Sequence, residues 1–286
     1  MSRPVRDRLL RDGYLILAVV FVGLRLFAIE PWADSVDAYA YWTTRTGDFY
    51  AAAQTGQIGA YLYSPAFAQA LAPLVWLPVA VFTAMWTAIN FAALWWLLGR
   101  LALPSLLFLP IPFEIISGNV HLLYAVAIVA GFHYAATWAL MLLTKVSPGI
   151  GVLWFLVRRE WRAFVLAFGV TAAIAAISFL LDRSAWASWL RLLQTDLSGA
   201  GQGRFQTVGW YVPIPLLPRL VVAAVVVALA AWSDRRWLMP IAVVLALPVI
   251  WLNSLAVLAA TVPLWRERSS AATPSSGRTV LADTLT

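Results

Sequence analysis

The chain has no cysteine, only two histidines, and a single lysine, Lys145, against nineteen arginines. Without cysteine there is neither a disulfide framework nor a thiolate metal site, and two histidines give little support for a transition-metal centre. Charge is scarce as well: 12% of the 286 residues are charged, 62% are hydrophobic, and the mean hydropathy is +0.81. One soluble core cannot hide that much apolar chain, so the composition predicts an all-α polytopic membrane protein. A Gly-rich phosphate loop, a G-x-S-x-G elbow and a Rossmann fingerprint are also missing, and no cofactor or metal is expected. The net charge of +7 does not point to nucleic acid, because the arginines fall in short runs between apolar segments rather than along one basic face.

What is present is a series of apolar runs near 14–29, 64–78, 79–99, 101–116, 119–131, 135–157, 162–181, 210–232 and 237–265. Several are shorter than the roughly 20 residues of a straight crossing. Prolines and glycines stand at their joints, among them Pro65, Pro78, Pro110, Gly118, Pro148 and Pro248. Broken helices survive in a bilayer only where protein or a wet cavity satisfies the freed backbone, so about 9–10 short or broken helices around an internal cavity are expected. The last run is expected to break near Pro248 and Asn253.

Arginine clusters at the N-terminus, at Arg158, Arg159 and Arg162, at Arg235 and Arg236, and at Arg266 and Arg268 fit the cytoplasmic side and leave Arg100 as one mismatch. The organisation expected is a basic cytoplasmic stretch (1–13), one transmembrane domain (14–265) with outer loops 30–63 and 182–209, and a disordered tail (266–286). The first run ends in Glu30-Pro31-Trp32 rather than a small-residue cleavage site, so it reads as an uncleaved helix.

The polar chemistry concentrates in a few places. Asp34 and Asp37 lie in an aromatic-rich loop where the first helix leaves the bilayer, and a helix over 33–46 would put Asp34, Asp37, Tyr41 and Arg45 on one face. Trp186 to Leu193 reads as a short amphipathic helix in the interface, with flexible residues 198–203 behind it. Lys145 lies mid-span, where an ammonium needs an anion or a wet cavity; a lipid phosphate and an ion pair with Glu114 are the two readings. Glu114, Ser117, Asn119 and His121 gather around Gly118 as a polar knot in which His121 makes an interhelical hydrogen bond. His133 reads as exposed.

Several segments in order, Asp37-Ala38-Tyr39-Ala40-Tyr41-Trp42, Tyr61-Leu62-Tyr63-Ser64-Pro65, Gly118-Asn119-Val120-His121, Thr144-Lys145-Val146-Ser147-Pro148, Arg158-Arg159-Glu160-Trp161-Arg162 and Leu247-Pro248-Val249-Ile250-Trp251, resemble glycosyltransferase family 87, also known as DUF2029. The resemblance covers roughly residues 14–265. It implies a GT-C membrane bundle at the plasma membrane, an extracytoplasmic active site, and transfer of a hexose, usually mannose, from a polyprenyl-phosphate sugar to a lipid-linked or glycan acceptor. It carries a catalytic base onto Asp37, with Asp34 second, and a phosphate contact onto Lys145 or Arg25. Tyr41, Tyr63, Glu114, Asn119, His121 and Asn253 complete the expected substrate-binding set. Asn253 stands where the family commonly has histidine, and Gly-Asn replaces the commoner Gly-Gln at 118–119. The competing readings are a lipid or small-molecule transporter or flippase, which would also use broken helices and a buried lysine, and a noncatalytic membrane partner.

Overall fold

A computed structural model describes residues 2–50, 59–197 and 210–272, and among these the chain is helical with no β-strand. Helix α1 (Arg3–Leu26) begins on Pro4 in its first turn and carries the N-terminal arginines directly into the apolar run, so that basic stretch is helical. After it come α2 (Pro31–Asp34) and α3 (Val36–Trp42). The helix expected over 33–46 is broken: Ser35 sits at φ −147, ψ 58 between α2 and α3, and Thr43–Arg45 tightens into a 3-10 turn. Arg45 consequently stacks on Trp42, 3.5 Å from the ring centre, instead of joining Asp37 and Tyr41.

Helix α4 (Pro65–Leu71) is one short piece of the 64–78 run, and α5 (Val79–Leu98) follows it. Trp42 Nε1 donates to the Leu77 carbonyl (2.8 Å), which holds the start of α5 beside the loop after α1. At the other end of α5, Arg100 lies 3.5 Å from Asp7 of α1. The long α1/α5 pair is therefore antiparallel, and the 64–78 run does not cross between them. This removes the Arg100 mismatch, since Arg100 shares the end that holds the N-terminal arginines.

The run expected at 101–116 is likewise split, into α6 (Ala102–Ser105) and α7 (Pro110–Ser117). Helix α8 (His121–Gly131) turns away from α7 by 110° at Gly118. The 135–157 run breaks twice: a 3-10 turn (Ala135–Trp138), α9 (Ala139–Thr144), a second 3-10 segment (Ser147–Val152) and α10 (Leu153–Val157). Trp138 is fully buried between the backbones of Gly131 and Gly151, where any β-carbon would overlap the indole. Two close-packed glycines are what let these short pieces stack.

Helix α11 (Trp161–Leu181) buries only Ala167 and Ser178 and turns Val165, Leu166, Ile177 and Leu180 outward. Such an apolar surface belongs against lipid. Asp182 caps α12 (Arg183–Leu197) by accepting the Ala185 amide (2.9 Å) and the Ser184 hydroxyl (2.7 Å), and these bonds hold its carboxyl below the usual range. The flexible residues expected at 198–203 lie outside the described residues.

Helices α13 (Leu216–Trp232) and α14 (Met239–Ala246) pack together. The last run does break where expected: residues 247–251 are non-helical, Leu252–Ala260 is a 3-10 segment, and α15 (Thr261–Ala272) follows. Residues 266–272, expected within the disordered tail, are helical, and 273–286 lie outside the described residues. Arg158 bonds Asp234 (3.0 Å) and Trp237 packs on Trp265 (5.0 Å between ring centres), which gathers three arginine clusters at one end. The whole is an all-α polytopic membrane protein, with Val79–Ser105 and Trp161–Leu181 long and apolar enough to cross alone and α7 plus α8 forming a bent pair.

Candidate active site

Four distant segments meet at the bend between α7 and α8. Gly118 ends α7 in the left-handed conformation (φ 71), its amide bonded to the Glu114 carbonyl at 2.9 Å. A β-carbon there would lie 2.7 Å from that of Ala38, so only glycine lets α3 approach this closely. Asp37, one residue earlier, is thereby brought beside Asn119. The Asn119 carbonyl oxygen accepts the Val120 amide (2.7 Å) and the Tyr63 hydroxyl (3.1 Å), and Tyr63 in turn accepts from Tyr41 (3.0 Å).

Glu114 is fully buried and takes the part of a cap for α8 from across the bend. One oxygen accepts the His121 amide (2.5 Å), the other the His121 ring Nδ1 (2.9 Å) and Asn253 Nδ2 (3.1 Å). A carboxylate on the first amides of a helix is favoured by both the hydrogen bonds and the helix dipole. With Nδ1–H given to Glu114, the network assigns His121 Nε2 as the acceptor that faces Lys145 Nζ and Ser254 Oγ, each at 3.5 Å.

Lys145 is not inside a helix, as its place within an apolar run suggested. It stands at the break after α9, at φ −129, ψ 101. That break is pinned on both sides: Ser64 Oγ donates to the Leu143 carbonyl, and Thr144 Oγ1 meets the Tyr124 hydroxyl at 2.6 Å. The ammonium lies 5.1 Å from the centre of the Tyr63 ring and has no ion-pair contact with Glu114 among the described residues. His121 intervenes between them. Asp37 and Lys145 are close enough to feel one another's charge. Both are half-buried, whereas Tyr41, Tyr63, Asn119, Glu114 and His121 are buried. One carboxylate and one ammonium thus stand at the edge of a polar cluster whose interior is already hydrogen-bonded.

The model of glycosyltransferase family 87 matches residues 61–282. The chain belongs to glycosyltransferase family 87. No significant match appears among curated proteins or solved structures. Of the site residues expected from sequence, Tyr63, Glu114, Asn119, His121, Lys145 and Asn253 lie inside the matched stretch, and Arg25, Asp34, Asp37 and Tyr41 precede it.

Arg25 is buried on α1 and donates to the Ile116 carbonyl (2.9 Å), so it ties α1 to the end of α7. Asp34 closes α2, and its side chain lies outside the described residues. His133 is exposed, as expected. Sequence reasoning missed Tyr124, Ser64 and Ser254. Tyr124, three residues after His121 on a helix, was within reach of periodicity. Ser64 and Ser254 carry no signal beyond their neighbours. A cavity of about 220 Å³ has Arg45, Phe49, Pro65, Trp76 and Asp182 in its wall and none of the cluster's residues.

Proposed function

We propose that this family 87 glycosyltransferase moves a hexose, mannose by preference, from a polyprenyl-phosphate sugar to a hydroxyl of a lipid-linked or glycan acceptor. The reaction takes place on the extracytoplasmic side of the plasma membrane. Asp37 is the base: it accepts the proton of the acceptor hydroxyl while that oxygen bonds to the sugar's anomeric carbon and the carbon–phosphate oxygen bond breaks. Polyprenyl phosphate departs with the bonding pair. Phosphate needs no protonation to leave, so one carboxylate suffices, and the ammonium of Lys145 offsets the charge that builds on the leaving group. Such a direct displacement inverts the anomeric centre.

The observation that carries this reading is the pairing of a half-buried Asp37 with a half-buried Lys145 over a saturated network of Asn119, Tyr63, His121 and Glu114. The interior polar groups are occupied by one another, which leaves these two free to act. Support for the sided assignment comes from the arginine clusters gathered at one end of the bundle. The aromatic rings Trp32, Tyr39 and Trp42, which pack on one another beside α3, offer stacking faces for sugar or prenyl groups.

The test is sugar transfer by membranes of expressing cells supplied with polyprenyl-phosphate mannose and extracted lipids, read as a new glycolipid. Asp37→Asn keeps the volume and one acceptor but not the basicity, and transfer falls by about 10²-fold or more. Equal transfer by Asp37→Asn at matched protein levels overturns the assignment.

A further inference from the structure

The break at residues 247–251 frees backbone carbonyls in an apolar setting, where each unsatisfied group costs several kcal/mol. One side chain gathers them. Arg219, in the first turn of α13 and 5% exposed, donates from Nε to Ile214 O (2.8 Å), from Nη1 to Leu245 O (2.9 Å) and Leu247 O (2.7 Å), and from Nη2 to Pro248 O (2.8 Å). The Val212 amide takes a further carbonyl, Ile250 O, at 3.0 Å. The guanidinium thus closes the end of α14 and fixes the extended chain that leaves it.

That chain leads straight to the active site. Trp251 starts the 3-10 segment with its amide on Ser254 Oγ (3.1 Å); Asn253 reaches Glu114 (3.1 Å) and Ser117 (3.1 Å), and Ser254 faces His121 Nε2 at 3.5 Å. Arg219 makes none of these contacts itself. A planar fork with several donors can hold four carbonyls in fixed relation, and a lysine, a point charge on a flexible stem, cannot.

We infer that Arg219 is a positioning residue for transfer: it sets the register in which Asn253 and Ser254 meet the Glu114–His121 couple. No ligand is assigned to it. The activity side of this inference rests on the proposed function, and the conformational side does not.

The chain's lack of cysteine supplies a clean reporter. Ser254→Cys puts a lone thiol at a position with 0% exposure, and Ala167→Cys, also at 0%, puts one on α11, which packs on α4, α9 and the 135–138 turn instead. In detergent-purified full-length protein, Arg219→Lys is expected to raise the maleimide labelling rate at 254 at least tenfold and leave the rate at 167 unchanged. Unchanged labelling at 254, or equal acceleration at both positions, overturns the inference.

In the cysteine-free background, Arg219→Lys is expected to lower kcat/KM by about 10-fold to 10²-fold, the scale of a small misplacement transmitted to a site. Combined with Asn253→Ala, it should lower kcat/KM no further than Asn253→Ala alone does, because both act through one contact. Losses that multiply would make Arg219 independent of Asn253 and sink the positioning role. Absence of transfer by the parent protein would strike the proposed function and leave the labelling comparison standing.

Discussion

Lys145 is the residue whose neighbours decide most. Its ammonium has His121 Nε2 at 3.5 Å and the Tyr63 ring at 5.1 Å, while Glu114 is satisfied by the His121 amide, the His121 ring and Asn253 without it. Removing the lysine therefore leaves Glu114 with every hydrogen bond it makes and takes only the neighbouring charge from Asp37. Lys145→Met is expected to change the thermal midpoint of the detergent-solubilised protein little and to lower transfer by about 10²-fold, the usual loss when one charge-stabilising group is removed. Adding Glu114→Gln is expected to make matters worse, because the new NH2 would face donors whichever way it turned, the His121 amide on one side or His121 Nδ1 and Asn253 Nδ2 on the other. Recovery of stability and transfer in that double variant would instead make Lys145 a structural counter-ion. At this scale the sequence was informative about type and silent about partners. The scarcity of charge marked Lys145 and Glu114 and left a phosphate contact and a direct pair as the two readings, whereas the imidazole between them depends on the direction of the bend at Gly118.

Among the elements, the interruptions matter more than the helices. Proline and glycine marked the joints, so breaks near Gly118, Pro148 and Pro248 were legible. The directions taken after each break were not, since they follow from packing over long distances: the 110° turn at Gly118, the return of the 64–78 run to the end where it began, and the split of α2 from α3 at Ser35. Gly118 unites both lessons. Its φ of 71 and the 2.7 Å distance a β-carbon would have to Ala38 make it the contact through which α7 sets the place of α3. Gly118→Ala is expected to cost about 1–2 kcal/mol for the left-handed conformation alone. The overlap with Ala38 adds to that cost by pushing Asp37 off Asn119. Measured by thermal unfolding and transfer, activity should be lost well below the unfolding temperature. Transfer unaffected by Gly118→Ala would show that the α3–α7 contact does not govern Asp37.

For the whole molecule, composition alone gave the class, and arginine gave a sidedness that the fold sharpened. Arg100 looked misplaced only while the 64–78 run was counted as a crossing; beside Asp7 it joins the basic end. An impermeant thiol reagent applied to intact cells is expected to label Asp48→Cys, on the loop after α3, and to spare Arg159→Cys, next to the Arg158–Asp234 pair. The reverse pattern would invert the protein in the membrane. The bond from Asn253 to Glu114 spans 139 residues of chain. During synthesis Asp37, Glu114 and Lys145 all reach the membrane before Asn253 has been made, and the closure that unites them carries the cost of a very long loop. The bond that completes the polar centre is therefore expected to close late, after the segments that hold Asp37, Glu114 and Lys145 are already in the membrane.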